Sequence, residues 1–202
     1  MKKILSSILM SFPLAVAWAS PQHIMDDTYF TKDTKYVEIL EKGDAEAQYD
    51  FGKQLLDGDG LHFVGAGHFK AGVKMLEKAA SKGYTPAMYE LGMHYRHRES
   101  RKAIKWFTKA AEKGYASAQV ELGDMYMYGT SKIFSFRAFK WYKKAAEQGS
   151  AEGQYGLGMC YGLGVGVWKN DKKSDEWNRK AAEQGHSGAQ SLLGSRKELE
   201  DK

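Results

Sequence analysis

Cysteine is nearly missing. Cys160 is the single one in 202 residues, so no internal disulfide can form even in the oxidising compartment an exported chain would reach. Any core must therefore hold by packing. Beyond the first twenty residues no apolar run approaches the ~20 residues that span a bilayer, so no integral membrane span is expected. Charge of one sign is scarce as well: 30 basic and 25 acidic residues give a formal +5. So mild an excess, without a concentrated basic face, gives no warrant for a nucleic-acid partner. Catalytic motifs are also wanting. There is no His-Glu-x-x-His, no Cys-x-x-Cys, and no Ser-x-x-Lys on a suitable element, and the chain is read as carrying no catalytic, metal or cofactor site.

The chain opens with Lys2 and Lys3, the largely apolar run Ile4 to Val16, and Ala17-Trp18-Ala19 before Ser20-Pro21-Gln22. A charged start, a short apolar stretch and small residues flanking Trp18 predict a secretory signal peptide over 1–19, cleaved after Ala19. An uncleaved anchor is the alternative, disfavoured by the shortness of the run, and no cysteine follows to mark a lipoprotein. Cleavage removes Lys2 and Lys3, leaving 28 basic residues against 25 acidic. The expected destination is the periplasm, with secretion as the alternative. Residues 20–34 read as a flexible segment.

A repeat is visible before any helix is assigned. Ala-Ala-Glu-Lys-Gly at 110–114 returns as Ala-Ala-Glu-Gln-Gly at 145–149 and 181–185, with a looser copy from Ala79 to Gly83. Anchoring on glycine gives Gly43, Gly83, Gly114, Gly149 and Gly185, spaced by 40, 31, 35 and 36 residues. Nine residues after each anchor stands a second glycine: Gly52, Gly92, Gly123, Gly158 and Gly194. Leu55, Tyr95, Tyr126 and Tyr161 follow three residues later. Before the anchors come small residues, Gly72, Ala103, Ala138 and Ser174, each three residues ahead of Met75, Trp106, Trp141 or Trp177.

Offsets of three and four place these positions on one stripe of a helix, so each unit reads as a helix pair. The first helices are predicted over Ala45–Asp57, Pro86–His97, Ser117–Tyr128 and Glu152–Leu163. Ser100, Ser135 and Asp171 are predicted to cap the second helices through their free first-turn N–H groups. The anchor glycines are predicted to be left-handed C-terminal caps. The second-column glycines lie within helices at about 1 kcal/mol each; facing small residues across a close helix contact would offset that, with Trp and Tyr filling the layer between pairs. One pair cannot bury its own apolar face, so stacking must supply the core. The expectation is an all-α chain, 35–202 forming a single stack with units at 43–82, 83–113, 114–148 and 149–184 and a polar half unit at 185–202.

Ala-x-Ala-Gln-Tyr-x-x-Gly at 45–52, the stretch from Trp141 to Gly149, and Tyr161-Gly162-Leu163-Gly164-Val165-Gly166-Val167 resemble the Sel-one-like repeat (SLR) family, relatives of the tetratricopeptide repeats. The resemblance covers about 43–194. Two units depart from it: the second has a shortened inter-helix loop at Arg98–Ser100, and the first carries an insertion around His62–His68. The resemblance implies a right-handed α-solenoid and an interaction scaffold that binds a partner protein on the face of its successive first helices. Carried over position by position, that face would hold Tyr49, Lys53 and Leu56; Tyr89, Met93 and Arg96; Val120, Asp124 and Met127; and Tyr155, Met159 and Gly162. Aromatics, methionines and a few charges suit a protein interface; the alternative makes the three tyrosines packing residues. The free chain is expected to be a monomer.

Several other features have plainer explanations than a functional site. His62 and His68 share the insertion with Asp57 and Asp59, but solvated loop residues explain them better than a metal. Asp57-Gly58-Asp59-Gly60 lacks the later ligands of a calcium loop. Gly162-x-Gly164-x-Gly166 follows a helix rather than a strand, which suits a turn and not a nucleotide loop. Cys160 reads as an inert buried thiol. Two features stand out: a basic cluster of Arg96, His97, Arg98, Arg101, Lys102 and Lys105, suited to an acidic partner or anionic headgroups or simply a solvated helix end, and Trp168, a peripheral anchor or a lid on the last unit.

Exported relatives in this family, some encoded beside type VI secretion phospholipase effectors, make an immunity protein that neutralises a secreted toxin the leading functional expectation. An envelope adaptor or host-protein binder is the alternative. A β-lactamase-like enzyme is the third reading, weakened because the relatives linked to that activity carry paired cysteines in each unit.

Overall fold

The computed structural model describes residues 34–57, 66–127 and 132–200, with backbone alone for 34–35, 66–68 and 196–200. The signal peptide, the segment up to residue 33, the Gly58-x-Gly60 turn with Asp59, His62 and the His68 side chain lie outside the described residues. Ten helices are described: α1 Thr34–Lys42, α2 Ala45–Asp57, α3 Ala66–Ser81, α4 Thr85–Tyr95, α5 Ser100–Glu112, α6 Ala116–Met127, α7 Lys132–Glu147, α8 Ala151–Leu163, α9 Asp171–Glu183 and α10 Ser187–Glu200. Among the described residues there is no strand. The first helices fall within two residues of their predicted limits.

The chain divides into two compact units, Met1–Met75 and Leu76–Lys202. In the first, Tyr36, Leu55, Ala71 and Met75 form a core, with Val37, Ile39, Leu40 and Phe51 packed around it. Gly72 lies so close to α2 that a Cβ there would come 2.9 Å from the Gly52 carbonyl oxygen, the predicted approach of two small residues. Asp44 Oδ1 accepts from Ala47 N at 2.7 Å and caps α2. Fully buried Gln48 donates from Nε2 to the Ile39 and Leu40 carbonyls at 3.1 and 2.9 Å, adding to the Gly43 N–H that the Ile39 carbonyl already accepts and tying the end of α1 to α2.

In the second unit, short connections return the chain so that each helix from α4 to α10 packs on its neighbours in sequence, and α6 also touches α8. The turns are built alike. Gly83, Gly114, Gly149 and Gly185 have φ of 88, 89, 90 and 87°. In each turn the glycine N–H bonds the second alanine carbonyl of the Ala-Ala phrase (Ala80, Ala111, Ala146, Ala182), and the next residue's N–H reaches back to the first. This paired cap closes the last turn and needs a residue that tolerates a left-handed backbone. Gly43 departs from the prediction: it lacks the positive φ of its later counterparts. A side chain is excluded there by the Ile39 carbonyl, which a Cβ would overlap.

The predicted caps of the second helices also fail. Ser100 is the first residue of α5, whose N-cap, Glu99, makes no side-chain capping bond. Ser135 lies inside α7, which starts three residues earlier. At α9 the cap is Asn170, one residue before Asp171, with Oδ1 accepting from Lys173 N at 3.0 Å. For Ser135 the reason is helix length: aligning backward from the glycines assumes equal helices, but α7 has 16 residues where α5 and α9 have 13. Side-chain caps also stand on the first helices α8 and α10, just after the anchor glycine, but not on α4, whose N-cap is Tyr84. Ser150 Oγ accepts from Gly153 N, and His186 Nδ1 from Ala189 N.

The interior is layered differently from expectation. A Cβ on Gly92 would overlap the Phe107 ring, and one on Gly123 would lie 2.5 Å from the Tyr142 ring. The second-column glycines therefore make room for a large residue four positions beyond the small one. In the last pair Asn178 takes that place, 2.7 Å from where a Gly158 Cβ would sit. The tryptophans do not fill this layer: Trp106, Trp141 and Trp177 are half-buried, with Lys109, Lys144 and Lys180 ammonium groups 4.3, 4.7 and 4.2 Å from their ring centroids. Each lysine sits three residues on, within reach along one helix face.

These backbone differences are measurable. Gly114→Ala is expected to cost about 1–2 kcal/mol, because φ +89° strains an L side chain although nothing lies within 4 Å. Gly194→Ala, inside α10 and facing open space, should instead gain up to ~1 kcal/mol. Urea unfolding followed by circular dichroism checks both; a gain at Gly114 would contradict the left-handed cap.

Candidate partner-binding face

Positions four and three apart on a first helix share a face, and every candidate on this face is half-exposed. In the first unit these are Tyr49, Lys53 and Leu56. Lys53 Nζ lies 4.0 Å from Asp57. Leu56 leans toward α3, its Cγ 3.0 Å from where a Gly72 Cβ would be, so it serves packing as well as surface.

In the second unit the candidates are Tyr89 and Met93 on α4 with Arg96 capping its C-terminal end, Val120, Asp124 and Met127 on α6, and Tyr155, Met159 and Gly162 on α8. Arg96 Nη1 sits 2.9 Å from one Glu121 oxygen and donates to the other at 3.2 Å, joining α4 to α6. Burial raises the Glu121 pKa above the ordinary carboxylate range, with Arg96 opposing and Asp124 reinforcing that shift. Arg96, Glu121 and Asp124 thus form one electrostatic group. Asp124 also accepts a hydrogen bond from the Tyr142 hydroxyl.

The tyrosines do double duty. Tyr89 packs between Phe107 and Tyr115, at 5.8 and 5.2 Å between centroids, and burial raises its pKa. Tyr155 stacks on His186 at 4.5 Å. Tyr115 and His186 each follow the next anchor glycine. The intervening repeat has Val120 and Ser150 at the paired positions, so the aromatic partner is missing where the tyrosine is. That covariation between repeats was legible in the sequence; the pairing of Glu121 with Arg96 was not, although an acidic residue precedes the Phe-Gly or Leu-Gly pair at Asp50, Glu90 and Glu121 alike.

A row of buried amides ties adjacent repeats together. Gln119 Nε2 donates to the Ala111 carbonyl of the preceding repeat at 3.0 Å, while its Oε1 accepts at 2.7 Å from Gln148 at the end of its own repeat. Gln154 Oε1 accepts from Gln184 at 2.8 Å, joining the first helix of its repeat to the end of the second.

The remaining features separate. In the basic cluster, Arg96 is engaged by Glu121, and Lys102 pairs with Glu99 at 2.7 Å while lying 5.0 Å from the Tyr95 ring centroid. His97, Arg98, Arg101 and Lys105 are exposed. Cys160 is fully buried and its thiol is pushed up to about 12 by desolvation, so it stays protonated and inert. Trp168 is 92% exposed and does not cover the last unit. Among the described residues no helix is long and apolar enough to cross a membrane, and no cluster of metal-ligating side chains occurs.

A family model described as the Sel1 repeat matches residues 45–84, 85–115, 116–150 and 151–186. No curated protein matches the chain. Among solved structures, a protective antigen present in uropathogenic Escherichia coli strains, displaying an SLR fold, aligns with a TM-score of 0.70 at 34% identity over 79% of this chain and 35% of its own. A Sel1 repeat protein from Oxalobacter formigenes aligns with a TM-score of 0.64 at 25% identity over 84% of this chain and 49% of its own. An immunity protein from Pseudomonas aeruginosa aligns at 0.49 and 21% identity over 76% of this chain and 58% of its own. The chain spans less than two thirds of the length of each.

Proposed function

The chain belongs to the Sel1 repeat family, whose members are protein–protein interaction scaffolds, and we propose that it acts as one in the periplasm, binding and neutralising a secreted toxin of the type VI phospholipase kind. The observation that carries the binding role is the half-exposed face of the first helices. Tyr89, Met93, Arg96, Asp124, Met127, Tyr155 and Met159 offer aromatic, thioether and charged groups at equivalent positions of successive first helices, on a packed support. Methionines adapt to a partner's contour, while Arg96, held by Glu121, presents an oriented donor. Support for the compartment comes from the charged and apolar leader ending at Ala19; support for the toxin comes from what exported members of the family are encoded beside.

The test is co-purification with the product of the adjacent gene. Co-elution as a stable complex, with loss of the partner's lipase activity, is the expected result. A gene with no effector beside it, or a pull-down that captures only housekeeping envelope proteins, would favour the adaptor reading. A β-lactamase-like activity gains nothing from Cys160, whose thiol is buried and protonated; steady nitrocefin turnover by the pure protein would overturn the binding role.

A further inference from the structure

Beyond the proposed partner face, one edge of the second unit combines exposed apolar side chains with a local excess of positive charge. Trp168 is 92% exposed, Ile133 and Leu163 63%, and Phe136 59%. They come from the first turns of α7 and from the end of α8 with the loop that follows it. The two segments abut: Gly166, at φ +69°, lies against α7 so closely that a Cβ would overlap the Ser135 carbonyl oxygen. The loop is fixed at both ends, Val165 N donating to the Cys160 carbonyl and Asn170 N to the Tyr161 carbonyl, each at 2.9 Å. Trp168 is therefore held outward by an ordered backbone.

The charges are as local as the apolar groups. Residues 132–140 and 163–173 hold six cations, Lys132, Arg137, Lys140, Lys169, Lys172 and Lys173, against one carboxylate, Asp171. Their net charge equals the +5 of the entire chain, so the remainder balances. Asp171 is itself 3.3 Å from Lys169, and Asp175 and Glu176 stand one turn further along α9. Arg137 lies over the Tyr126 ring and Lys173 over the Tyr161 ring, at 5.5 and 5.3 Å, contacts that leave their charge uncompensated.

We propose that this edge is a peripheral docking surface for an anionic phospholipid membrane. A protein hot spot sits in a desolvated recess whose centre is poor in lysine. Here an indole and three apolar side chains stand exposed on a helix end, the loop after it and a helix start, on segments that also carry six lysines and arginines. That is the arrangement in which indole enters the headgroup boundary while cations meet lipid phosphates.

The test is co-sedimentation of the protein, as its host produces it, with vesicles of phosphatidylethanolamine and phosphatidylglycerol, and with phosphatidylcholine vesicles for comparison. Binding is expected to the anionic vesicles, weakened by 0.5 M salt. Trp168→Ser and Lys169→Glu/Lys172→Glu should each lower the partition coefficient by about tenfold, with circular dichroism and melting unchanged. Equal binding to both vesicles, or binding that survives in these variants as it would if the leader alone inserted, would overturn the proposal. So would absence of vesicle binding together with loss of a protein complex in Trp168→Ser, which would make the edge a protein-docking face.

Discussion

Phe107→Ala is expected to lower the unfolding free energy by about 3–5 kcal/mol, the range for removing a fully enclosed aromatic side chain. Phe107 has no solvent exposure. Its ring fills the space left by Gly92 and supports Tyr89, 5.8 Å away between centroids. Collapse into the void is limited because the backbones of α4 and α5 are already set by the short loop between them and by the Gly114 cap, so most of the cavity should persist. Urea denaturation read by circular dichroism gives the number. A loss near 1 kcal/mol would mean that the α4–α5 layer is loosely packed. Trp168→Ser is the control, since a side chain with 92% exposure should change stability by under about 0.5 kcal/mol.

Gly156→Ala is expected to destabilise by about 1–3 kcal/mol, although alanine is the better helix former by about 1 kcal/mol. A Cβ on Gly156 would overlap the Tyr142 ring, and one on Gly123 would lie 2.5 Å from the same ring. Tyr142 is thus held between glycines of two successive first helices, α6 and α8, while its hydroxyl donates to Asp124. The ring cannot move from one glycine without meeting the other. A double-mutant cycle isolates this: Gly156→Ala in a Tyr142→Leu background should lose most of its cost, a coupling of at least about 1 kcal/mol. Equal costs in both backgrounds would show that the glycine serves some purpose other than room for the ring.

How far the sequence carried can be traced to particular residues. The anchor glycines from Gly83 onward and the first-helix limits were legible because both rest on local rules: a positive φ favours glycine, and apolar spacing marks a helix stripe. What each glycine faces was not, because repetition identifies equivalent positions without saying which of them meet across a layer. Phe107 and Tyr142 stand one residue past the tryptophans, and a 100° rotation per residue exchanges the layer for its half-exposed rim. The cap at Ser135 was misplaced because α7 extends backward through Ile133 and Phe134, a length no glycine records, whereas at α5 and α9 the capping position lies one residue before Ser100 and Asp171. Within the candidate face, the spacing located Arg96 and Asp124 but not Glu121, whose role depends on a contact between two helices.

The most direct measurement of the binding role is calorimetric titration of the co-purifying partner against the wild-type protein and Met93→Glu/Met159→Glu. Both methionines are half-exposed on first helices, so the variant should fold and melt as the wild type does. If the first helices form the docking face, affinity should fall by about 100-fold, close to 2.7 kcal/mol. Undiminished affinity in this variant would contradict that placement.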